Sequence, residues 1–225
     1  MFGIDVAQFR KSPAGGLVDN WLRTVAVGCS DDLVEHVTQV LVVMNNTAAK
    51  QPTYVLRGVS RSQTKGCASH GSVWLDDATW VLTPDAEQSE GGTNPRLLAA
   101  ISHIDTGAAL WVASAAPSGA KEWTQEFDEL RGTIVLDQGL RASFNLKYRD
   151  ADRAASAAQE FERTVKDMPP FNTYFEHLRA YAEGPWLQTN IVMSRDQFER
   201  FPTDPIFSGL FPSPPPTPNV VAADN

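Results

Sequence analysis

The feature that most constrains this chain is a ten-residue stretch, Leu140 to Arg149, in which apolar and polar side chains alternate without a break. The apolar set is Leu140, Ala142, Phe144, Leu146 and Tyr148, and the polar set is Arg141, Ser143, Asn145, Lys147 and Arg149. Successive side chains of a β-strand point to opposite faces. The pattern therefore predicts a strand with one face on a core and the other in water. Such strands are typical of antiparallel sheets, because strands of doubly wound parallel sheets are apolar throughout.

The order strand, helix, hairpin occurs twice along the chain, roughly 90 residues apart. The first occurrence has a strand at Phe2–Val6 and a helix opened by Ser12-Pro13, and the second has a helix at Lys121–Glu129 and a hairpin over 131–149. We predict an α+β fold in which two such halves form antiparallel sheet(s), with helices packed mainly on one face. We expect residues 1–201 to form a single domain with similar halves of about 1–90 and 91–201, and residues 202–225 to form a Pro-rich extended tail.

Three further segments complete the predicted order. A single apolar stripe predicts a long helix from Asp150 to about Met168, and Phe171–Glu183 is interpreted as another helix. Trp186–Ser194 is predicted to be a strand that leads into a helix with a capping box. The segment Val73–Leu82 is predicted to be a hairpin whose turn has either three residues, Asp76–Ala78, or only the last two of them. The three-residue turn places Trp74 and Trp80 on one face of the hairpin, and the two-residue turn places them on opposite faces.

Composition limits the classes of function. The 225 residues hold 27 Asp and Glu against 19 Lys and Arg, a formal charge of −8, which argues against a general nucleic-acid binder. No apolar run approaches the roughly 18–20 residues of a transmembrane helix. The chain opens without the basic and apolar regions of a signal peptide. We expect an extracytoplasmic protein (periplasmic, secreted or lipid-anchored) whose leader has been removed, with the cytoplasm as the alternative.

The two cysteines, Cys29 and Cys67, lie in polar, turn-like settings 38 residues apart. Such settings are unlike those of core thiols, and we predict a disulfide between them, with two unrelated buried thiols as the alternative. A structural disulfide would indicate an oxidising compartment.

Motifs for catalysis and cofactors are weak. Gly58-Val59-Ser60-Arg61-Ser62 differs from the nucleophile elbow G-x-S-x-G at its last position. The histidines lack metal-ligand spacing, and no pattern indicates a metal or a cofactor. We predict that the protein is not an enzyme. The alternative is a hydrolase with an unrecognised site, for which the best residues are Ser60, His70 and Asp76.

The polar face of the Leu140–Arg149 strand is locally basic, because it carries Arg141, Lys147 and Arg149. A solvated face explains these residues, and so does a surface that binds a protein or another polar or anionic partner. We therefore expect a non-catalytic binding or structural module. A self-assembling subunit that pairs through an open sheet face is the further alternative.

Several segments together resemble uncharacterised bacterial families of secreted or lipoprotein type. The similarity lies in the two strand–helix–hairpin units, the cysteine pair, the DDATWVL hairpin, the NPRLLAAI helix, and the GTIVLDQGLRASF hairpin followed by an Ala-rich helix. The resemblance implies an extracytoplasmic location and brings no assigned activity.

Overall fold

The structure is a computed structural model that describes residues 1–26, 28–43, 52–65, 67, 71–82, 94–115, 127–167 and 177–200, with the backbone alone for 166 and 167. The strands are β1 (Phe2–Asp5), β2 (Gln39–Val43), β3 (Thr53–Arg57), β4 (Ser72–Asp76), β5 (Thr79–Leu82), β6 (Leu110–Ala115), β7 (Phe127–Val135), β8 (Gly139–Tyr148), β9 (His177–Glu183) and β10 (Trp186–Ser194). The helices are α1 (Val6–Arg10), α2 (Gly15–Val25), α3 (Asp31–His36), α4 (Pro95–Ser102), α5 (Ala151–Asp167) and α6 (Arg195–Arg200).

The ten strands of the described residues form one sheet in the order β4-β5-β3-β2-β1-β6-β7-β8-β10-β9, and every neighbouring pair is antiparallel. The predicted α+β class with an antiparallel sheet is confirmed. The central β1/β6 pair divides the sheet into two sets of five strands, the β1–β5 set and the β6–β10 set. Counted outward from this pair, each set has its strands in the order first, second, third, fifth, fourth. The predicted halves of about 1–90 and 91–201 stay a prediction, and the tail 202–225 lies outside the described residues.

The alternation that predicted β8 is present in the strand, and it continues across the sheet by register. Ile4 is opposite Leu110, Leu110 is opposite Ile134, and Ile134 is opposite Ala142. Ala142 in turn is opposite Ile191 of β10. Because facing residues in a ladder point to the same side, these five side chains form one apolar row across five strands. We call the side of the sheet that carries this row the apolar face.

Helices cover parts of the apolar face. Over β1, β2, β3 and β5, a core cluster joins Val18 and Leu22 of α2 to Val40, Leu56 and Trp80 of the sheet. At the opposite end, Ala154 and Ala158 of α5 pack on residues of β8, β9 and β10. The helix predicted from Asp150 to about Met168 is present as α5 over Ala151–Asp167, and Met168 lies outside the described residues. The small residues of α5 bring it close to the strands.

One guanidinium fixes the three short helices that follow β1. The Arg10 side chain pairs with Asp19 of α2 at 2.9 Å. It also donates to the main-chain oxygens of Val34, of Glu35 at 2.8 Å and of Val37 at 2.9 Å, at the end of α3. The last carbonyls of a helix lack partners within the helix, so a single arginine satisfies them and holds α1, α2 and α3 together.

The prediction of a helix over Phe171–Glu183 is wrong for its described part, since His177–Glu183 is strand β9. Its helix-forming composition is overridden by a tight hairpin in which Glu183 is opposite Trp186, and Gly184 has a φ of 55°. The helix predicted at Lys121–Glu129 is wrong for residues 127–129, which belong to β7. The remainder of that segment, residues 121–126, lies outside the described residues.

The start of the first predicted helix is also different. Ser12 and Pro13 lie in the turn between α1 and α2, and the Ser12 hydroxyl donates to the Phe9 carbonyl at 2.7 Å instead of capping α2. The last predicted helix is confirmed with its capping box. Gln197 Oε1 accepts from the Ser194 N–H at 2.9 Å, and Ser194 Oγ accepts from the Gln197 N–H at 3.3 Å.

The β4–β5 hairpin combines features of both predicted turns. Its turn has the two residues Asp77 and Ala78, yet Trp74 is opposite Trp80 and the rings stack with centroids 6.2 Å apart. A register shift between Trp74 and Asp76 leaves Leu75 as an extra residue in β4. This bulge returns both rings to one face despite the short turn.

The predicted disulfide is present. The sulfur atoms of Cys29 and Cys67 lie 2.05 Å apart. Both residues pack against the core cluster under α2. The bond thus joins the segment between α2 and α3 to the segment before β4.

Removing the disulfide by the double change Cys29→Ala/Cys67→Ala should lower the free energy of unfolding by about 3–4 kcal/mol, because it frees a loop of 38 residues in the unfolded chain. Urea denaturation of the wild type with and without a reductant, beside the variant, measures this loss. The reductant should lower the urea midpoint of the wild type and leave that of the variant unchanged. An unchanged midpoint for the wild type would contradict the prediction.

Candidate functional site

An apolar groove lies on the apolar face between the region covered by α2 and the region covered by α5. Its floor contains Ile134, Ala142, Phe144 and Ile191 of β7, β8 and β10. One wall is formed by α2, which contributes Leu17, Val18 and Trp21. The groove is therefore a stretch of sheet that is apolar like the covered core and that none of the described helices covers.

One end of the groove is closed by a small cluster. Phe198 of α6 packs with Met193 of β10 and with Ala14, the residue that precedes α2. The capping box described above holds α6 against the end of β10, so the position of Phe198 is fixed by local hydrogen bonds. Ala14, Met193 and Phe198 all contribute to the groove lining.

The groove has a volume of about 460 Å³ and is lined entirely by apolar residues. Ile4, Phe144 and Ile191 on its floor are only partly buried. A row of partly exposed, contiguous apolar side chains indicates a binding surface, in contrast to single exposed apolar residues. Among the lining residues only Trp21 carries a hydrogen-bonding side-chain group, its indole N–H, so the groove is suited to an apolar surface.

Phe144 gives the floor its shape because its ring lies over Gly132, its partner on β7. A Cβ atom at position 132 would come within 2.2 Å of the ring. Glycine at this position therefore lets the ring lie down against the sheet, and a larger residue would push it up into the groove.

The predicted basic face lies on the other side of β8, and its three cations do not converge. Arg141 pairs with Asp137, four residues earlier. Lys147 lies with Nζ 5.7 Å from the centre of the Trp186 ring. Arg149 follows the end of the strand and is exposed. Binding of a partner by Arg141, Lys147 and Arg149 stays a prediction, and the ion pair of Arg141 argues for a solvated face at that end.

Trp186 lies between two cations on this polar side. The Arg131 guanidinium carbon is 4.2 Å from the ring centre, and Arg131 also pairs with Glu129 at 2.9 Å. Cation–π contacts of this kind hold an aromatic ring in place. Sequence reasoning placed Trp186 at a strand end and did not find this cluster, since Arg131 and Trp186 meet only through the β7-β8-β10 register.

The residues considered for a hydrolase have structural contacts. The Ser60 hydroxyl lies 2.9 Å from Ser62 Oγ and donates to Gln63 Oε1 at 3.0 Å. His70 lies outside the described residues. That the protein is not an enzyme stays a prediction.

Asp76, the third residue of that set, has a turn-forming contact. Its carboxylate accepts from the Ala78 N–H at 2.8 Å, and this bond, with smaller effects from Thr79 and Arg57, holds the pKa of Asp76 below its ordinary value. The resulting stabilisation of the hairpin is present at neutral pH and is lost as the pH falls through the folded-state pKa.

Comparisons with known proteins gave no match to a family model, a curated protein or a solved structure. The resemblance to uncharacterised secreted families therefore stays a prediction. Among the described residues, none of the helices has the length and apolar character needed to cross a membrane.

The exposure of the groove can be tested by comparing two substitutions in the same part of the sheet. Phe144→Ala should cost about 1–2 kcal/mol, because the ring is only partly buried and its loss leaves no closed cavity. Leu187→Ala removes a side chain that is 3% exposed under α5, and it should cost at least about 2 kcal/mol. Thermal and urea unfolding give both values. A cost of about 3–5 kcal/mol for Phe144→Ala, as for a fully buried aromatic residue, would show that the groove is filled in solution.

Proposed function

We propose that the protein is a non-catalytic binding module of an extracytoplasmic protein, and that its groove binds an amphipathic helix of a partner protein. The observation that carries this proposal is the groove itself, whose floor of Ile134, Ala142, Phe144 and Ile191 continues the core without a covering element among the described residues. The area is contiguous, apolar and partly exposed.

The scarcity of hydrogen-bonding side chains in the lining favours a helix over an extended peptide. A helix satisfies its backbone N–H and C=O groups internally, so it can lie on an apolar floor without losing hydrogen bonds. An extended segment would leave these groups without partners in the groove, at a cost for each group. Among the side chains of the lining, only the Trp21 indole N–H could offer it a hydrogen bond in compensation.

The openness of the groove favours an amphipathic helix over a free acyl chain. Ile4, Phe144 and Ile191 reach solvent, so an occupant would have one side on the floor and the other side in water. An amphipathic helix meets both surroundings, since its apolar stripe covers little more than a quarter of its circumference. An acyl chain would keep part of its apolar surface in water.

The β1–β5 and β6–β10 sets of strands provide a comparison within the molecule. We propose that they are related halves, supported by the shared outward strand order. In the β1–β5 set, α2 packs over β1, β2 and β3, where Trp21 contacts Tyr54 with ring centroids 6.2 Å apart. The corresponding strands of the β6–β10 set are β6, β7 and β8, and they form much of the groove floor. A partner helix would therefore pack on the β6–β10 set in the position that α2 has on the β1–β5 set.

The location outside the cytoplasm is supported by the disulfide between Cys29 and Cys67, since structural disulfides persist in oxidising compartments. The acidic net charge of −8 suits a protein partner and argues against nucleic acid.

The proposal is tested with labelled 16-residue peptides and fluorescence anisotropy. One peptide carries a leucine stripe at helical spacing, a second has the same composition in scrambled order, and a third alternates valine and threonine. Only the first should bind, with a dissociation constant in the micromolar range. Ile191→Glu places a charge on the groove floor and should weaken binding by at least about tenfold, because the carboxylate loses water when the helix docks.

The matched control is Asn190→Glu, which adds the same charge one residue away at an exposed position on the opposite face. It should bind the striped peptide like the wild type, and circular dichroism shows that both variants are folded. Equal binding of the striped and scrambled peptides would refute the proposal. So would tight, Ile191-dependent binding of the fluorescent fatty acid cis-parinaric acid without binding of any peptide, a result that would assign the groove to lipid.

A further inference from the structure

A second concavity of about 350 Å³ lies on the face of the sheet opposite the apolar face. It is separate from the groove and lies near the junction of the β1–β5 and β6–β10 sets. It lies on β1, β2, β3 and β6, and the loop before β6 contributes Thr106. Its volume is in the range of about 300–1,000 Å³ that is usual for small-molecule sites. Unlike the groove, it has a mixed polar and apolar lining.

Register orders the lining of this concavity in two parallel rows. In the first row, Trp111 is opposite Gly3, Gly3 is opposite Leu41, and Leu41 is opposite Val55. Facing residues share a side of the sheet, so these residues form an apolar floor across β6, β1, β2 and β3. The floor ends in an indole ring on the β6 side.

Gly3 determines how the indole lies. A Cβ atom at position 3 would come within 2.3 Å of Trp111 Nε1 and 2.4 Å of Cε2. Only glycine therefore allows the ring to lie down over β1. The Trp111 side chain is partly buried, so a part of it remains accessible from the concavity.

The second row lies two residues further along the strands and is polar. Asp5 is opposite Gln39, and Gln39 is opposite Arg57. The Arg57 guanidinium donates to Gln39 Oε1 at 3.5 Å, and the described residues give the Gln39 amide nitrogen no partner. Asp5 accepts from the Gln8 N–H at 2.9 Å and from Gln8 Nε2 at 3.0 Å. A carboxylate has about four lone-pair sites, so Asp5 can accept further bonds.

We infer that this two-row concavity is a binding site for a neutral saccharide. A pyranose ring has an apolar C–H face and a rim of hydroxyl groups. The face can lie on Trp111 and the apolar row, while the rim hydroxyls reach a carboxylate, an amide and a guanidinium, which together accept and donate. Asp5 and Arg57 balance each other in charge, which disfavours an anionic ligand such as a nucleotide. The inference is independent of the groove, because the two sites lie on opposite faces.

The test uses saturation-transfer NMR of the full chain with three probes: cellotetraose, maltotetraose and tetra-N-acetylchitotetraose. At least one should bind saturably with a dissociation constant in the millimolar range or below, and the strongest transfer should reach ring C–H protons. Trp111→Ala should weaken this binding by at least about tenfold, the loss expected for one good contact. Trp186→Ala is the matched control, since it removes a partly buried tryptophan from β10, a strand that does not line the concavity.

A second variant keeps the test decisive if Trp111→Ala fails to fold. The double change Gln39→Leu/Arg57→Met alters two exposed residues and leaves the aromatic floor intact. It should weaken saccharide binding by at least about tenfold, because hydroxyl groups then lose their partners. Absence of binding for all three probes would overturn the inference, and so would undiminished binding by the double variant. Ile191→Glu in the groove should bind the saccharide like the wild type, so the two sites fail or succeed separately.

Discussion

The pairing of β1 with β6 is the contact on which the rest of the molecule depends. The ladder covers only three facing pairs, from Phe2 with Val112 to Ile4 with Leu110, and the Asp5 N–H extends it to the Ala109 carbonyl at 2.8 Å. Through it, two sets of five strands become one sheet with a continuous apolar face. The groove and the saccharide site both border this junction, because Ile4 faces one of them and Gly3 faces the other.

The covering of the apolar face decides which parts of it are core. The same kind of strand residue is fully buried at Leu56 under α2, buried at Leu187 under α5, and partly exposed at Ile191 between them. Burial of apolar area stabilises the fold at about 25 cal/mol per Å², and an uncovered strip forgoes that contribution. A partner that covers the strip would recover it as binding energy, reduced by the entropy lost on association.

Sequence patterns predicted the elements whose signals are local. The alternation of β8, the stripe of α5 and the capping box of α6 each need only neighbouring residues. His177–Glu183 was predicted to be a helix because its local composition favours one, whereas its pairing with β10 makes it an edge strand. The groove could not be predicted, since an apolar strand such as β10 gives the same pattern with or without a covering helix. The saccharide site joins Gly3 to Trp111 through register, which no local pattern encodes.

The bulge at Leu75 has a consequence for the behaviour of the protein at high concentration. β4 is the terminal strand of the sheet, and Val73 and Leu75 are 48% and 67% exposed. An apolar edge strand with regular pairing groups is a template for strand exchange between molecules. The bulge interrupts the regular spacing of outward N–H and C=O groups and twists the strand. A second molecule could therefore extend the sheet over only a few residues at this edge, and the irregularity that stacks Trp74 on Trp80 also opposes fibre-like association.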